Sequence, residues 1–240
     1  MSEPTYVAVD LETTGFDASR EAIIEVAAVT FCGNDIVDEF STLIYPQRDI
    51  PAEITRLTGI SDQMVEDAPS IAEVRSRLRS ILGNHPLVGH NVGFDLAFLK
   101  EAGLGMGNQR VDTLTLASIL IPEAGRYGLE ALANFLYLPL PDGGQAHRAR
   151  EDAELTVELF LALRERALQV SLAQLDEIVR AGQQIGWPET LFFEEVLAER
   201  ARKAFSGAEL RQRGRLPKLF APPKLDGRAI VPIEDPLLLD

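Results

Sequence analysis

The chain has 240 residues, of which 46% are hydrophobic, so it can bury one substantial core and carry a smaller appendage. Its single cysteine, Cys32, excludes an intrachain disulfide and a zinc site built from several thiolates. Cys32 lies in an apolar run and is interpreted as part of the core rather than as a nucleophile. No secretion signal or membrane-length apolar run is visible, so a cytoplasmic location is expected.

The formal net charge of −14 is unusual for a protein that binds nucleic acid, since the phosphate backbone favours basic surfaces. The charge is unevenly distributed, however. Between Arg200 and Arg228, nine basic residues stand against two acidic ones, which gives this stretch +7 and leaves −21 for the rest. Bound cations would reverse the sign locally where a phosphate must lie. Charge alone therefore neither supports nor excludes a nucleic-acid partner.

The first part of the chain is rich in β-forming residues. Apolar and alternating runs predict three consecutive strands over residues 5–10, 23–31 and 36–45. Residues 32–35, with the sequence Cys-Gly-Asn-Asp, have the composition of a turn between the second and third strands.

Helical patterns and two short strands alternate along the next part. A helix is expected after Pro51, and another over residues 70–82 with Ser70 as its N-cap. Short strands are predicted at residues 87–89 and 110–112, and helices at residues 94–102, 114–120, 129–136 and 148–168. Three consecutive strands followed by this alternation predict an α/β fold, with a mixed five-stranded sheet and helices packed against it.

The character of the sequence changes near residue 169. Residues 1–169 are expected to form the main domain, and residues 170–205 a helical extension with helices near 175–181 and 189–205. From Ser206 to Asp240, Gly, Pro and basic residues interrupt any periodicity. This last part is predicted to be a linker or an extended arm.

Two carboxylates, Asp10 and Glu12, follow the first apolar run. Residues two apart on a strand share a face, so both side chains can point at one spot. Open α/β sheets place their ligand sites at the carboxyl ends of such strands. Beside an apolar strand these charges are costly unless a cation neutralises them. Alone, the pair fits a solvated strand end equally well.

Two more acidic residues occur near helix starts. Asp95 follows the turn at residues 89–93, where it either complements the helix dipole or binds a metal. Asp152 falls in the first turns of the long helix predicted at 148–168, and His147 precedes that helix on a loop. This second group is either a charged helix start or part of a catalytic site.

In this order, the residues resemble the DEDDh (DnaQ-like) family of 3′–5′ exonucleases. The resemblance covers residues 5 to about 167 and rests on three motifs: Asp-x-Glu-Thr-Thr-Gly at 10–15, His-Asn-x-x-Phe-Asp at 90–95 and His-x-Ala-x-x-Asp at 147–152. The related tyrosine branch has Tyr where this chain has Arg148. The family fold is ribonuclease H-like, a five-stranded mixed sheet flanked by helices. Similar domains occur in the polymerase epsilon subunit and before some DinG-type helicases.

The resemblance implies a role for each motif residue. Four carboxylates would hold two Mg²⁺ or Mn²⁺ ions: Asp10, Glu12, Asp95 and Asp152. Oxygen ligands suit these hard ions. His147 would act as the general base, and an imidazole that titrates near neutrality suits that task.

The resemblance also implies a set of substrate contacts. The residues expected to touch the terminal nucleotides are Thr13, Thr14, Leu57, Asn91 and Phe94. Leu57 would be an apolar wedge between bases, and Phe94 would offer a stacking face. Ordinary core packing remains an equally good interpretation of both side chains.

The leading hypothesis is a metal-dependent exonuclease that hydrolyses the 3′ ends of single-stranded or frayed DNA and releases nucleoside monophosphates, in replication or repair. An RNA 3′-end-trimming ribonuclease of the same family and a non-catalytic nucleic-acid-binding module remain as alternatives. The expected partners are DNA or RNA and a polymerase or helicase, either separate or fused. No membrane partner is expected.

Overall fold

Five strands form one sheet within residues 4–140 and 148–205, which the computed structural model describes; the side chains of Ala204 and Phe205 are outside that description. The strands are β1 (Thr5–Thr13), β2 (Ile23–Cys32), β3 (Asp35–Leu43), β4 (Leu87–Gly89) and β5 (Arg110–Asp112). Their order in space is β3-β2-β1-β4-β5. β1 pairs antiparallel with β2, and β2 with β3, whereas β1–β4 and β4–β5 are parallel. The predicted mixed five-stranded sheet is confirmed.

The helices alternate with the later strands as predicted. They are α1 (Ala52–Thr58), α2 (Asp62–Val65), α3 (Ile71–Leu82), α4 (Gly93–Glu101), α5 (Thr113–Leu120), α6 (Leu129–Leu136), α7 (Ala149–Ala167), α8 (Leu172–Ile185) and α9 (Thr190–Phe205). A 3₁₀ turn also occurs over Pro122–Ala124. The sequence did not predict α2 or this turn, because three or four residues are too few to show a period.

Side chains of β1 alternate between two apolar layers. Tyr6 and Ala8 belong to the layer that contains α5, α7 and α9. Val7 and Val9 belong to the opposite layer, with α3 and α4. Asp10 and Glu12 continue the first of these faces, because alternation from Ala8 places them on the side of α7.

The two C-terminal helices contribute to the first layer. Phe192 and Phe193 are fully buried there, in the same cluster as Phe160 of α7. The Tyr6 hydroxyl donates to Oε2 of Glu195 at 2.5 Å, which ties α9 to β1. Helices predicted as an extension therefore bury side chains against the strand that carries Asp10.

The chain divides into two units, Met1–Arg200 and Ala201–Asp240, and only residues 201–205 of the second are described. The predicted arm, residues 206–240, lies outside the described residues. Cys32 is half-buried at the last position of β2. Within the described parts, no helix combines the length and apolar character needed to cross a membrane.

Candidate active site

Asp10 and Glu12 lie inside β1 rather than at its end. The strand continues to Thr13, three residues beyond the predicted end at residue 10, because β2 pairs with it as far as Thr13↔Ile23. The register shifts between Glu12 and Thr13, which marks a bulge or irregularity of the kind often found beside active sites. Both carboxylates are half-buried and share one face of the sheet.

The structure brings three of the four predicted metal-binding carboxylates together. One oxygen from each of Asp10, Glu12 and Asp152 lies within 4.8 Å of the others. Asp152 reaches this spot from the first turn of α7, which packs against β1. Residues that are far apart in sequence therefore form one acidic cluster, which we call the carboxylate cluster.

Asp95 supports the carboxylate cluster without being among its converging atoms. It lies in the first turn of α4 and is only 4% exposed. Its Oδ1 accepts a hydrogen bond of 3.0 Å from the backbone N–H of Leu11, the residue between Asp10 and Glu12. Asp95 is thereby held against the backbone of the strand that carries Asp10 and Glu12.

The carboxylates strongly disfavour one another's ionisation. Burial, followed by the charges of Asp95 and Asp152, raises the pKa of Asp10 well above its ordinary value. Burial, followed by the charge of Asp152, raises the pKa of Glu12 to about 8. Burial also raises the pKa of Asp95 to about 8. Divalent cations would relieve both the desolvation and the repulsion, so this set of oxygen donors fits hard ions.

A cavity of about 410 Å³ opens beside the carboxylate cluster. Its lining residues are Asp10, His90, Gly128, Leu129, Glu130, Ala131 and Asp152. The cavity lies between the carboxylates and the start of α6, so a bound molecule there would touch the acidic side chains directly.

His90 supports the wall of this cavity. Its Nε2 lies 2.7 Å from the carbonyl oxygen of Tyr127, which can only accept, so Nε2 carries the proton. Burial lowers the pKa of His90, and the neutral ring can accept at Nδ1 from the Thr113 hydroxyl 3.0 Å away. His90 therefore fastens the chain before α6 to the ends of β4 and β5.

Thr13 and Thr14 are buried at the end of β1, and their hydroxyls bond within the protein. The Thr13 hydroxyl donates to the carbonyl of Gly15 at 2.7 Å. The Thr14 hydroxyl donates to Glu21 at 2.6 Å and accepts from the N–H of Ala22 at 2.9 Å. These bonds fix the shape of the loop, so any substrate contact there would use its backbone.

The other predicted substrate contacts differ in exposure. Leu57 is exposed on α1, and Asn91 is exposed with a positive φ of 65°. The N–H of Asn91 donates to Asp112 at 2.9 Å, which stabilises this conformation. Phe94 is half-buried, and its ring centroid lies 6.4 Å from that of Phe16 and 5.1 Å from that of Phe98.

The predicted base, His147, lies outside the described residues. Two residues next to the carboxylate cluster, Glu25 and Arg148, were not predicted from the sequence as functional candidates. Glu25 is buried in β2, and Arg148 forms an ion pair with it at 2.7 Å. The sequence offers one signal for this pair: Glu25 is a single acidic residue in the apolar run of β2, and a buried acid of this kind needs a partner.

Comparison with known proteins identifies the family. A model of the Exonuclease (RNase T) family matches residues 7–160. The chain belongs to this exonuclease family. The members of this family are nucleases, and the family depends on divalent metal ions. The prediction of DEDDh family membership is confirmed.

Relatives in sequence include bacterial DNA polymerase III proteins. The DNA polymerase III subunit epsilon of Aquifex aeolicus is 37% identical over 167 residues, which cover 67% of this chain and 81% of that protein. The PolC-type DNA polymerase III of Bacillus cereus is 37% identical over 183 residues, or 74% of this chain. This chain spans only 12% of the length of that polymerase.

Solved structures show the same architecture. Exonuclease X in complex with 5′ overhanging duplex DNA is 28% identical, with a TM-score of 0.56 over 67% of this chain and 91% of that protein. A structure of exonuclease I is 20% identical with a TM-score of 0.60, covers 75% of this chain and 44% of that protein, and shows the fold alone. The predicted ribonuclease H-like fold is confirmed.

Proposed function

We propose that this protein removes nucleotides one at a time from the 3′ end of single-stranded or frayed DNA. The observation that carries the proposal is the convergence of Asp10, Glu12 and Asp152 within 4.8 Å, with buried Asp95 bonded to the backbone between Asp10 and Glu12. Such a concentration of carboxylates costs free energy in the absence of cations. It suits hydrolysis of a phosphodiester with two Mg²⁺ or Mn²⁺ ions.

In this proposal each carboxylate has a defined task. Asp10 would contribute to both ion sites, Glu12 and Asp152 would complete one of them, and Asp95 would support the other. Two divalent ions bound there would activate water and stabilise negative charge that develops on the phosphate oxygens. The residues contribute fixed positions on β1, α4 and α7, so little reorganisation accompanies the reaction.

We also assign the proton transfer to His147. A general base should titrate near the working pH, and histidine is the side chain whose ordinary pKa meets this condition. In the sequence it comes directly before Arg148, the N-cap of α7, and α7 carries Asp152 in its first turn. His90 is unsuited to the role because both ring nitrogens have partners within the protein.

For the substrate we propose DNA bound along the cavity of about 410 Å³ beside Asp10 and Asp152. The loop at Thr13 and Thr14 would contact the 3′ end, and Asn91 and Phe94 the terminal bases. Leu57 would separate the last two bases. The named relatives are a polymerase subunit, a polymerase and a DNA-bound exonuclease, which supports DNA and a polymerase or helicase as a partner or fused domain.

Digestion of end-labelled oligonucleotides tests the proposal. With Mg²⁺ or Mn²⁺, a 5′-labelled DNA strand should give a ladder that shortens from the 3′ end, and a 3′-terminal phosphorothioate should delay it. Asp10→Asn and Asp152→Asn should abolish the ladder, whereas Asp35→Asn, on the exposed edge strand β3, should leave it unchanged. Full activity in EDTA would refute metal dependence. Faster digestion of a matched RNA strand would assign the substrate to RNA instead.

A further inference from the structure

Glu25 is an acidic residue that the carboxylate cluster does not include. It is 2% exposed at the third position of the apolar strand β2, directly opposite Glu12 in the antiparallel register. Like charges at facing strand positions destabilise a sheet, and a buried charge is costly without a partner. Its position next to the site therefore requires an explanation.

Among the described residues, the hydrogen bonds to the Glu25 carboxylate come from Arg148 and Ala149, where α7 begins. Oε1 accepts from Nη2 of Arg148 at 2.7 Å, and Oε2 accepts from Nε at 3.0 Å, a two-pronged arrangement. Oε2 also accepts from the N–H of Ala149, the first residue of α7, at 3.1 Å. Both oxygens are used, so Glu25 acts as a structural acceptor rather than as an additional metal ligand.

These contacts connect two members of the carboxylate cluster. Glu25 on β2 is paired with Glu12 on the neighbouring strand β1, next to the register shift between Glu12 and Thr13. Arg148 in turn accepts at its carbonyl a hydrogen bond of 2.9 Å from the N–H of Asp152. The path from Glu12 to Asp152 therefore runs through one strand pair, one bidentate ion pair and one helical hydrogen bond.

We propose that Glu25 and Arg148 form a positioning pair that sets the start of α7 so that Asp152 meets Asp10 and Glu12 at the spacing that cation binding requires. The proposal rests on the proposed function of the carboxylate cluster as a metal site. Outer residues that hold metal ligands in place typically change metal affinity or activity by roughly 10–100-fold when they are replaced. Neither Glu25 nor Arg148 needs to touch the substrate for this effect.

The opposite end of α7 provides a matched control. Arg164 pairs with Glu199 of α9, and the side chains are 24% and 14% exposed, against 26% and 3% for Arg148 and Glu25. Arg164 lies twelve residues after Asp152 on the same helix, about 18 Å along its axis. Its loss removes a similar ion pair from α7 without changing the start of the helix.

The experiment compares Arg148→Met, Glu25→Gln and Arg164→Met with the wild-type chain. Each variant is measured for Tm, for Mn²⁺ affinity by calorimetry without nucleic acid, and for kcat and KM on a DNA strand. All three should lower Tm. Only Arg148→Met and Glu25→Gln should weaken Mn²⁺ binding and lower kcat, each by roughly 10–100-fold with KM nearly unchanged. Arg148→Lys keeps the charge but not the two-pronged geometry, and should fall between Arg148→Met and wild type.

Equal Mn²⁺ affinity and kcat in Arg148→Met and Arg164→Met would overturn the proposal and reduce the pair to a stabilising contact. If Arg148→Met does not fold, Glu25→Gln and Arg148→Lys supply the same comparison with smaller changes. The calorimetry also separates this proposal from the proposed function. A wild-type chain that binds Mn²⁺ but does not cut DNA would refute the function, while weaker Mn²⁺ binding in Arg148→Met would still support the positioning pair.

Discussion

The N–H of Leu11 donates to Oδ1 of Asp95 at 3.0 Å, so the peptide between Asp10 and Glu12 is fastened to the first turn of α4. Leu11 itself points into the opposite apolar layer, where its side chain is buried. Leu11 therefore has two roles: its side chain packs in the core, and its backbone N–H holds Asp95, the fourth carboxylate.

This bond allows the charge of Asp95 to be tested separately from its hydrogen bond. Asp95→Asn keeps an oxygen acceptor for Leu11, so we expect a Tm no lower than that of wild type but a loss of activity of at least roughly a hundredfold, as for removal of a group that stabilises the transition state. Asp95→Ala should lose activity and also about 1–3 kcal/mol of stability, because the buried N–H is left without a partner. Urea unfolding and initial rates measure the two effects. Equal stability of the two variants would show that the bond contributes nothing.

The raised pKa values predict how stability depends on pH without metal. A carboxyl group whose pKa is higher in the folded than in the unfolded chain stabilises the fold fully only below its ordinary value, about 4. For Glu12 and Asp95 that contribution is lost as the pH rises through about 8. In EDTA, Tm should therefore fall by several degrees between about pH 5 and about pH 9.

Metal ions should reverse this trend. Cations that neutralise the ionised carboxylates stabilise the folded chain at high pH, so Mg²⁺ or Mn²⁺ should raise Tm more at about pH 9 than at about pH 5. The variant Asp10→Asn should show a flatter pH dependence in EDTA than wild type. A Tm in EDTA that rises with pH would contradict the assignment of the raised pKa values to this site.

His147 is expected to determine the pH dependence of the rate. His147→Ala should lower kcat by roughly 10²–10⁴ with little change in KM, the scale expected for loss of a general base. Wild-type kcat should rise with pH through about 6.5, and this limb should disappear in the variant. His85→Gln is the control, since the bonds of residue 85 to Leu82 and Asn108 are made by its backbone. An unchanged pH profile in His147→Ala would assign the base to another group.

Most of the fold could be predicted from the sequence because periodicity and turn chemistry are local properties. The strand pattern, the order of elements and the N-cap at Ser70 all follow from neighbouring residues. The end of β1 could not be predicted, because pairing with β2 extends the strand through the charged residues Asp10 and Glu12. α8 is longer than predicted at both ends, because a capping box between Ser171 and Gln174 begins it at Leu172 and the left-handed Gly186 ends it only after Ile185.

The carboxylate cluster could be anticipated only through its resemblance to a known family. Nothing in the local sequence places Asp152 beside Asp10, since that distance depends on how α7 packs on the sheet. The pair of Glu25 and Arg148 is separated by 123 positions and leaves no sequence pattern beyond a single acid in an apolar strand. Long-range polar pairs of this kind can be identified only from the three-dimensional structure.

The C-terminal helices should contribute substantially to stability. Phe193 is fully buried and packs on Phe192 and Trp187, at ring-centroid distances of 5.2 and 5.6 Å. Phe193→Ala should therefore cost about 3–5 kcal/mol in urea unfolding. Phe16→Ala removes the same side chain from a position that is 83% exposed and should cost less than about 0.5 kcal/mol. Equal costs for the two variants would mean that α9 does not stabilise the core.

The segment from Ser206 to Asp240 should be dispensable for the chemical step. Its Gly and Pro content and lack of periodicity argue against a role in the sheet core. Six of the nine basic residues between Arg200 and Arg228 lie within it, and they can hold substrate phosphates near an otherwise acidic chain. Deletion of 206–240 should therefore leave kcat at saturating substrate nearly unchanged while it weakens binding to longer strands.

Salt dependence identifies the cause of any weaker binding. Each lost phosphate contact should flatten the log–log dependence of affinity on salt by roughly 0.7 for a single strand. Replacement of Arg211, Arg213 and Arg215 by Gln in the full-length chain should reproduce part of this change, because it removes charge without removing the segment. If deletion leaves both affinity and salt slope unchanged, the segment is a tether or a protein-binding arm. If deletion abolishes turnover, residues beyond 205 belong to the catalytic fold, and the predicted boundary at Ser206 is wrong.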